Sequence, residues 1–160
     1  MFNVGGFAVY SGHGVGVIEA IENIDVGGMI QDFYVIRILD TQMTVKIPTA
    51  DSEGMREVIH PDQIPEVFQI LTNGKDLPDN HQPWNQRYRS YMERINSGSI
   101  FEVARVLREL SCLRCEKGLS FGEKKLMDTA QKLVIKELAV SQEEEEAEVR
   151  KELIHMLSQQ

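Results

Sequence analysis

One short stretch of the chain combines an aromatic residue with several cations, and together they could bind a nucleic acid. Trp84 is the only tryptophan, and Arg87, Tyr91 and Arg94 follow it at helical spacing, in line along one side of a helix. An aromatic ring can stack on bases while neighbouring cations bind phosphates. The alternative is a tryptophan in a helical core beside solvated arginines. Composition alone favours this alternative, because most tryptophans are largely buried.

Two other motifs could support chemistry, but neither has the surroundings that its chemistry needs. Cys112 and Cys115 form a CxxC near a predicted helix end, without the second ligand pair of a zinc site or the βαβ setting of a redox site. Residues 12–16, Gly-His-Gly-Val-Gly, lead into a strand, whereas dinucleotide loops lead into a helix. We expect two ordinary thiols and a hairpin turn. No motif supports an enzyme, a metal site or a cofactor.

The charge of the chain is unevenly distributed along its length. The net charge is −8, yet residues 80–137 carry 11 Lys and Arg against 7 Asp and Glu. Residues 1–79 carry 4 against 12, and residues 138–160 carry 2 against 6. A basic middle segment between acidic ends indicates a partner that the net charge hides.

Length and hydrophobic pattern suit a small globular protein. The 160 residues suffice for one medium domain or two small ones, and 42% are hydrophobic. The apolar runs are too short to cross a bilayer, and no signal peptide is visible at the N-terminus. We expect a cytoplasmic protein with no membrane contact. A monomer is the default expectation, although strand exchange between β modules is open.

Residues 1–59 have the pattern of a small β domain. Short β-branched or aromatic runs lie at residues 7–10, 16–21, 33–39 and 43–48, separated by glycine-containing and polar turns. Four or five short strands with tight turns predict a small barrel of the SH3 or Tudor kind. Such a module is usually a binding unit, whose exposed strand edge can accept a strand of a partner.

Residues 60–160 have the pattern of an all-α domain, so the fold class is α+β. A short first helix uses Val67, Phe68, Ile70 and Leu71; a polar loop at residues 75–82 follows, and then the Trp84 helix, which ends at Asn96-Ser97-Gly98. Three Ser-x-x-Glu capping boxes predict helices at about 99–116, 120–139 and 142–157. The boxes are Ser99…Glu102, Ser120…Glu123 and Ser141…Glu144, and the glutamate run 143–146 is expected to open the last helix. The sequence thus predicts a bundle of about five helices.

Two sets of motifs follow one another in an order that is typical of a known family. The first set is Val9-Tyr10-x-Gly12-His13-Gly14-Val15-Gly16-Val17-Ile18, then Phe33-Tyr34-Val35-Ile36. The second is Trp84-Asn85-x-Arg87-Tyr88-Arg89, Ser97-Gly98, Glu102-Val103-Ala104-x-Val106-Leu107-Arg108-x-Leu110 and Gly118-Leu119-Ser120-x-Gly122-Glu123-Lys124. This order resembles the CarD/CdnL family of bacterial transcription regulators over about the whole chain. Without a basic tail, the chain resembles the short, CdnL-type members.

The resemblance implies a function for both domains. It implies that the β module docks on the β subunit of RNA polymerase, strand edge to strand edge. The helical domain would reach promoter DNA at the upstream edge of the melted bubble, with Trp84 as a minor-groove wedge that stabilises the open complex. The implied phosphate contacts are Arg87, Arg89 and Lys124, with Lys125 a weaker candidate. Lys46 lies where the family has a basic residue that contacts polymerase.

The chain departs from the family pattern in its first half. An arginine often found in the second hairpin, and also used against polymerase, is replaced by Ile24. The usual Gly-Asp before the first strand is Gly5-Gly6, and the usual proline after the tyrosine is Ser11. We expect hydrophobic contact from Ile24 or Val26 to substitute in part for the arginine.

Two other functions compete with this one. The chain could be a scaffold whose β module recruits another protein and whose helices never touch DNA. An enzyme that uses Cys112 and Cys115 is the third possibility, and it predicts thiol-dependent turnover.

Overall fold

Short β-branched and aromatic runs form the strands of the first half of the chain, as the sequence predicts. The computed structural model describes residues 2–73 and 82–158. It divides into two units, Met1–Val58 and Ile59–Gln160. The first unit contains β1 (Phe7–Tyr10), β2 (Gly14–Val26), β3 (Met29–Ile38), β4 (Thr44–Pro48) and β5 (Met55–Arg56).

The five strands form one antiparallel sheet in the order β4-β3-β2-β1-β5, which fits the predicted Tudor-like module. The loop after β1 is the hairpin turn expected there, with positive φ at Gly12 (79°) and Gly14 (88°). One face of the sheet buries an apolar cluster. Its members are Ala8, Ile18, Tyr34, Ile36, Ile38, Ile47 and Met55.

A β-bulge in β2 decides which side chains face this cluster. The register shifts between Ile18 and Ala20, so Ile18 pairs with Ile36 while Ala20 pairs with Val35. Because paired residues share a face and successive residues alternate, the bulge moves Ala20 to the face opposite the cluster. Glu22, Ile24 and Val26 follow it to that face.

Beyond the cluster, β2 and β3 continue as a two-stranded ribbon. The ribbon turns at Gly27 (φ 62°) and Gly28 (φ 88°), the backbone geometry that favours glycine in a tight hairpin. Asp25 Oδ1 accepts a hydrogen bond from the Gly28 amide at 2.9 Å. Met29 and Ile30, just after the turn, are 69% and 75% exposed.

The second unit contains five α-helices, as predicted. A one-turn 3₁₀ helix, Pro61–Gln63, precedes α1 (Ile64–Thr72), and α2 (Trp84–Ile95), α3 (Ile100–Lys117), α4 (Phe121–Gln142) and α5 (Glu146–Ser158) follow. Except for Gln82, the predicted loop 75–82 lies outside the described residues. The core lies chiefly between α1, α3, α4 and α5. The larger apolar side chains with at most 1% exposure there are Val67, Leu71, Val106, Leu107, Leu110, Leu113, Val134, Ile135, Leu138, Val149 and Leu153.

Two of the three predicted helix caps form. Ser99 accepts from the Glu102 amide, and Ser120 and Glu123 make a reciprocal capping box. The prediction of the third box, Ser141…Glu144, was wrong. Helix α4 runs through Ser141 to Gln142, Glu143 adopts a left-handed conformation (φ 54°) at its end, and α5 begins only at Glu146.

Ser141 has another partner, which explains the error. Its Oγ donates to the Ile59 carbonyl at 2.6 Å, and Glu137, one turn earlier, accepts from the Ile59 amide at 2.8 Å. Ile59 and Glu137 are both buried. The side chains of α4 thus satisfy both backbone groups of a buried residue that has no strand to pair with there. This contact fixes the first residue of the helical unit to α4.

Candidate nucleic-acid interface

Trp84 lies at an exposed helix end and outside the core. It is the first residue of α2, directly after Pro83 at the N-cap, and it is 38% exposed. Tyr88 lies one turn further on, with its ring centroid 5.7 Å from that of Trp84. Both aromatic rings therefore present part of their surface to solvent.

The six-membered ring of the indole lies against the first turn of α4. A Cβ built on Gly122 would lie 2.8 Å from Cζ2 of Trp84 and 3.4 Å from Cη2. Real Cβ atoms do not approach other atoms this closely. Gly122 therefore allows the close contact between the indole and the α4 backbone by having no side chain.

Arg87 lies between Trp84 and α4. Its Nη2 donates to Oε2 of Glu123 at 2.9 Å, and its guanidinium carbon lies 5.3 Å from the indole centroid. The Arg87 side chain is 14% exposed and that of Glu123 only 6%. The sequence predicts Arg87 as a phosphate contact, but in this structure its charge is paired with Glu123. The phosphate contact stays a prediction.

The rest of the arginine row predicted along Trp84 also points inward. Tyr91 is buried, and Arg94 donates to both carboxylate oxygens of Glu109 at 3.0 Å. Burial raises the pKa of Tyr91, and the charge of Glu109 raises it further. For Arg94, burial alone would lower the pKa, but the hydrogen bonds and charge of Glu109 outweigh it and the pKa is raised. This row is the packed side of α2.

The outward cations lie on α2 and near the start of α4. Arg89 lines a shallow groove together with Trp84, Asn85, Tyr88, Met92 and Gly122. Lys124 and Lys125 are exposed near the start of α4, and Lys125 Nζ lies 4.9 Å from the ring centroid of Phe121. We call Trp84, Tyr88, Arg89, Phe121, Lys124 and Lys125 the aromatic–basic surface. It combines rings for stacking with cations for phosphates.

One member of this surface and two residues that support it were not predicted from the sequence. Phe121 is 74% exposed, Gly122 admits the indole, and Glu123 pairs with Arg87 as well as capping α4. For Phe121 a signal was available, because it directly follows the N-cap Ser120 and precedes the buried stripe of α4. The roles of Gly122 and Glu123 depend on α2, which is distant in sequence.

In the first unit, the three residues predicted to contact polymerase share one face of the sheet. Lys46 pairs with Val35, which pairs with Ala20, and Ile24 and Val26 follow Ala20 at alternate positions of β2. This face lies opposite the apolar cluster. Lys46 Nζ lies 3.1 Å from Glu22 Oε2 on the same face, and Val26 is 49% exposed. We call Lys46, Glu22, Ile24 and Val26 the ribbon face.

Other kinds of site have less support in the residues that the structure describes. Across residues 2–73 and 82–158, no group of His, Cys, Asp and Glu could hold a metal ion. Cys112 is buried whereas Cys115 is exposed. No described helix is long and apolar enough to cross a membrane.

The fold consists of two units, a Tudor-like module followed by a helical unit that carries the aromatic–basic surface. The CarD-like/TRCF RID domain matches residues 2–59, and the CarD C-terminal domain matches residues 66–154. The chain therefore belongs to the CarD/CdnL family and is a transcription-associated regulator.

Two relatives illustrate the match. The first, named "Putative transcription factor YdeB", is from Bacillus subtilis (strain 168). It is 39% identical over 142 residues, which cover 88% of this chain and 92% of the relative. The second is a solved structure, CdnLNt from Myxoccoccus xanthus, at 46% identity and a TM-score of 0.32. The match covers 37% of this chain and 86% of that one.

Proposed function

We propose that the protein binds the β subunit of RNA polymerase through its β unit and stabilises the promoter open complex. In this proposal Trp84 wedges into the minor groove at the upstream edge of the melted bubble. One observation carries the proposal: the single tryptophan lies 38% exposed at a helix end, is supported from behind by Arg87 and Gly122, and lines a groove with the exposed Arg89. A tryptophan that served only the core would be buried.

The energetics of insertion favour a residue of this kind. Opening a base step costs a few kcal/mol, and an inserted apolar side chain compensates once the step is open. Because the wedge binds the melted state and not the closed duplex, it slows collapse of the bubble without accelerating the melting step itself.

The cations supply affinity but little sequence preference. Arg89, Lys124 and Lys125 are exposed and suit contacts with phosphate oxygens, which are the same in every sequence. The chain as a whole is acidic, with a net charge of −8, so we expect weak binding to free DNA. Binding to polymerase would therefore determine where on the DNA the protein acts.

Docking on polymerase is assigned to the ribbon face and the outer edge of the sheet. Strand β4 ends the sheet order, so its outer edge is available to a strand of a partner. Lys46 supplies a cation beside that edge, and Ile24 and Val26 supply apolar contact along the ribbon. This apolar contact would substitute in part for the family arginine that Ile24 replaces.

The first test is the lifetime of open complexes on a ribosomal-RNA-type promoter with the cognate polymerase. Wild-type protein should lengthen the lifetime, and Trp84→Ala should not, while circular dichroism shows both to be folded. Ile154→Ala, at a residue of α5 that is 55% exposed, is the control for loss of an exposed apolar side chain. If Trp84→Ala retains the full effect, the wedge is excluded and the scaffold alternative gains support.

The second test concerns the docking face. Val26→Asp places a charge on the ribbon face, whereas Ile30→Asp places it on the opposite face, because Ile30 pairs with Asp25. In a pull-down with the isolated β subunit, Val26→Asp should lose binding and Ile30→Asp should keep it. Equal loss from both would argue against docking through this face.

A further inference from the structure

We propose that Glu123 is a positioning residue that orients the wedge, acting on Trp84 through Arg87. The purpose of this arrangement rests on the proposed function of Trp84, but the arrangement itself can be tested without polymerase or DNA. Glu123 pairs with Arg87, and Arg87 in turn lies over the indole. Glu123 reaches the indole through one guanidinium group.

The first step is that the carboxylate of Glu123 is held on α4 from two sides. Oε1 accepts from the Ser120 amide at 2.9 Å, and Oε2 accepts from Arg87 Nη2 at 2.9 Å. The residue is 5% exposed. Because each oxygen has its own partner and the group is desolvated, the carboxylate has little freedom to turn. It fixes the cation relative to the helix start.

The second step is that Arg87 depends on Glu123 for its position. Its Nε is buried and finds no hydrogen-bond acceptor within the described parts of the chain. Among the described residues, the guanidinium donates to the Glu123 carboxylate and lies over the indole, with its central carbon 5.3 Å from the ring centroid. Without the carboxylate, a partly buried cation would gain by moving to water. The indole would then lose the group that lies over its face.

The third step is that two further residues contact the indole. Gly122 brings the α4 backbone close to its six-membered ring, and Tyr88 lies against it from the next turn of α2. Three neighbours on two helices therefore hold one side chain while leaving 38% of it exposed. A side chain that is ordered before binding loses less entropy on insertion, so its orientation contributes to the action of the wedge.

Glu123 also caps α4, and a suitable variant separates the two roles. Glutamine serves at the third position of a capping box as well as glutamate does, so Glu123→Gln keeps an acceptor for the Ser120 amide. It removes the negative charge that holds Arg87. Glu102→Gln is the matched control, because Glu102 occupies the corresponding position of α3 and pairs with Arg94 and Arg105. Both variants lose one negative charge, but only Glu123 pairs with the arginine that lies over the indole.

The readout is the fluorescence of the full-length protein, in which Trp84 is the only tryptophan. We expect Glu123→Gln to raise the acrylamide quenching constant and the amplitude of fast anisotropy decay by about two- to fivefold, the change in population that loss of one cation–π contact implies. Glu102→Gln should match wild type, and the melting curves of both variants should show an intact fold. Wild-type fluorescence in a folded Glu123→Gln variant would overturn the proposal.

A second variant tests the contact between the indole and α4. Gly122→Ala suits a helix better than glycine does, so the melting temperature should not fall. Its Cβ would nevertheless lie 2.8 Å from Cζ2, so the indole must move, and its quenching should rise as in Glu123→Gln. An unchanged signal would show that the indole is not held against α4 and would also overturn the proposal.

Open-complex lifetimes separate this inference from the proposed function. If Glu123→Gln frees the indole and shortens the open-complex lifetime that wild type confers, the positioning role and the wedge function are both supported. If it frees the indole while wild type itself has no effect on lifetime, the positioning role stands and the wedge function fails. If fluorescence is unchanged while wild type lengthens the lifetime, the function stands and the positioning role fails.

Discussion

Helix α2 carries arginines in two different surroundings. Arg87 and Arg94 face inward and pair with Glu123 and Glu109, whereas Arg89 faces the groove beside Trp84. Paired and partly desolvated guanidiniums stabilise the packing of α2 against its neighbours. A cation at the rim of an aromatic groove is available to a phosphate. The surroundings of each arginine, and not its charge alone, decide its role.

Arg89→Ala should therefore reduce the salt dependence of binding to a polymerase–promoter complex. One lost phosphate contact lowers the slope of log K against log salt by about 0.9, because one counterion fewer is released. Arg150→Ala, at an exposed residue of α5, is the control for loss of one charge. Titrations at several salt concentrations give both slopes, and identical slopes would remove Arg89 from the DNA contact.

Tyr91 predicts a dependence of stability on alkaline pH. Its pKa is raised in the folded protein, first by burial and then by Glu109. Its stabilising contribution is complete below the unfolded value of about 10 and is lost as pH rises through the folded value. Tyr91→Phe should therefore lose less stability than wild type between about pH 9 and about pH 11 in urea titrations. Tyr88→Phe, at an exposed ring, is the control, and parallel losses in all three proteins would contradict the burial argument.

At the scale of elements, local signals predicted much of the fold. Alternation and turn residues indicated four of the five strands, and capping residues located the starts of α3 and α4, because these signals act over a few neighbouring residues. The β2 bulge was missed, since it depends on pairing with β3. The packed side of α2 was missed because its carboxylate partners lie 36 and 15 residues away in the chain.

Ser120 and Ser141 have a similar sequence context, but we expect opposite effects on stability when each is replaced by aspartate. Ser120→Asp should be tolerated, since aspartate caps a helix about as well as serine. Ser141→Asp should destabilise the helical unit by about 2 kcal/mol, because a carboxylate cannot donate to the Ile59 carbonyl and would lie at the negative end of α4. Urea titrations of both variants measure the difference. Equal stability of the two variants would instead support a capping role for Ser141.

At the scale of the whole molecule, the proposed function divides its tasks between two units. The first, Met1–Val58, carries the ribbon face, and the second, Ile59–Gln160, carries the aromatic–basic surface. The excess of acidic residues opposes binding to free DNA, so the proposed function requires polymerase to concentrate the second unit at the promoter. The covalent connection supplies that concentration, in the millimolar range for a short linker.

Separating the units should therefore abolish the activity. A mixture of fragments 1–58 and 59–160, each shown by circular dichroism to be folded, should leave open-complex lifetimes unchanged at concentrations where the intact chain acts. The first fragment alone should still bind the β subunit and compete with the intact chain. An equal effect from the separate second fragment would mean that it binds promoter DNA without recruitment through the first unit.

The central claim is that the Trp84 indole enters the DNA at the upstream edge of the bubble. It is tested most directly with promoters that carry 2-aminopurine at successive positions across that edge. We expect wild-type protein to change the 2-aminopurine fluorescence at the edge position and not further upstream, and Trp84→Ala to lose this change. An identical signal from wild type and a folded, polymerase-bound Trp84→Ala variant would contradict this claim.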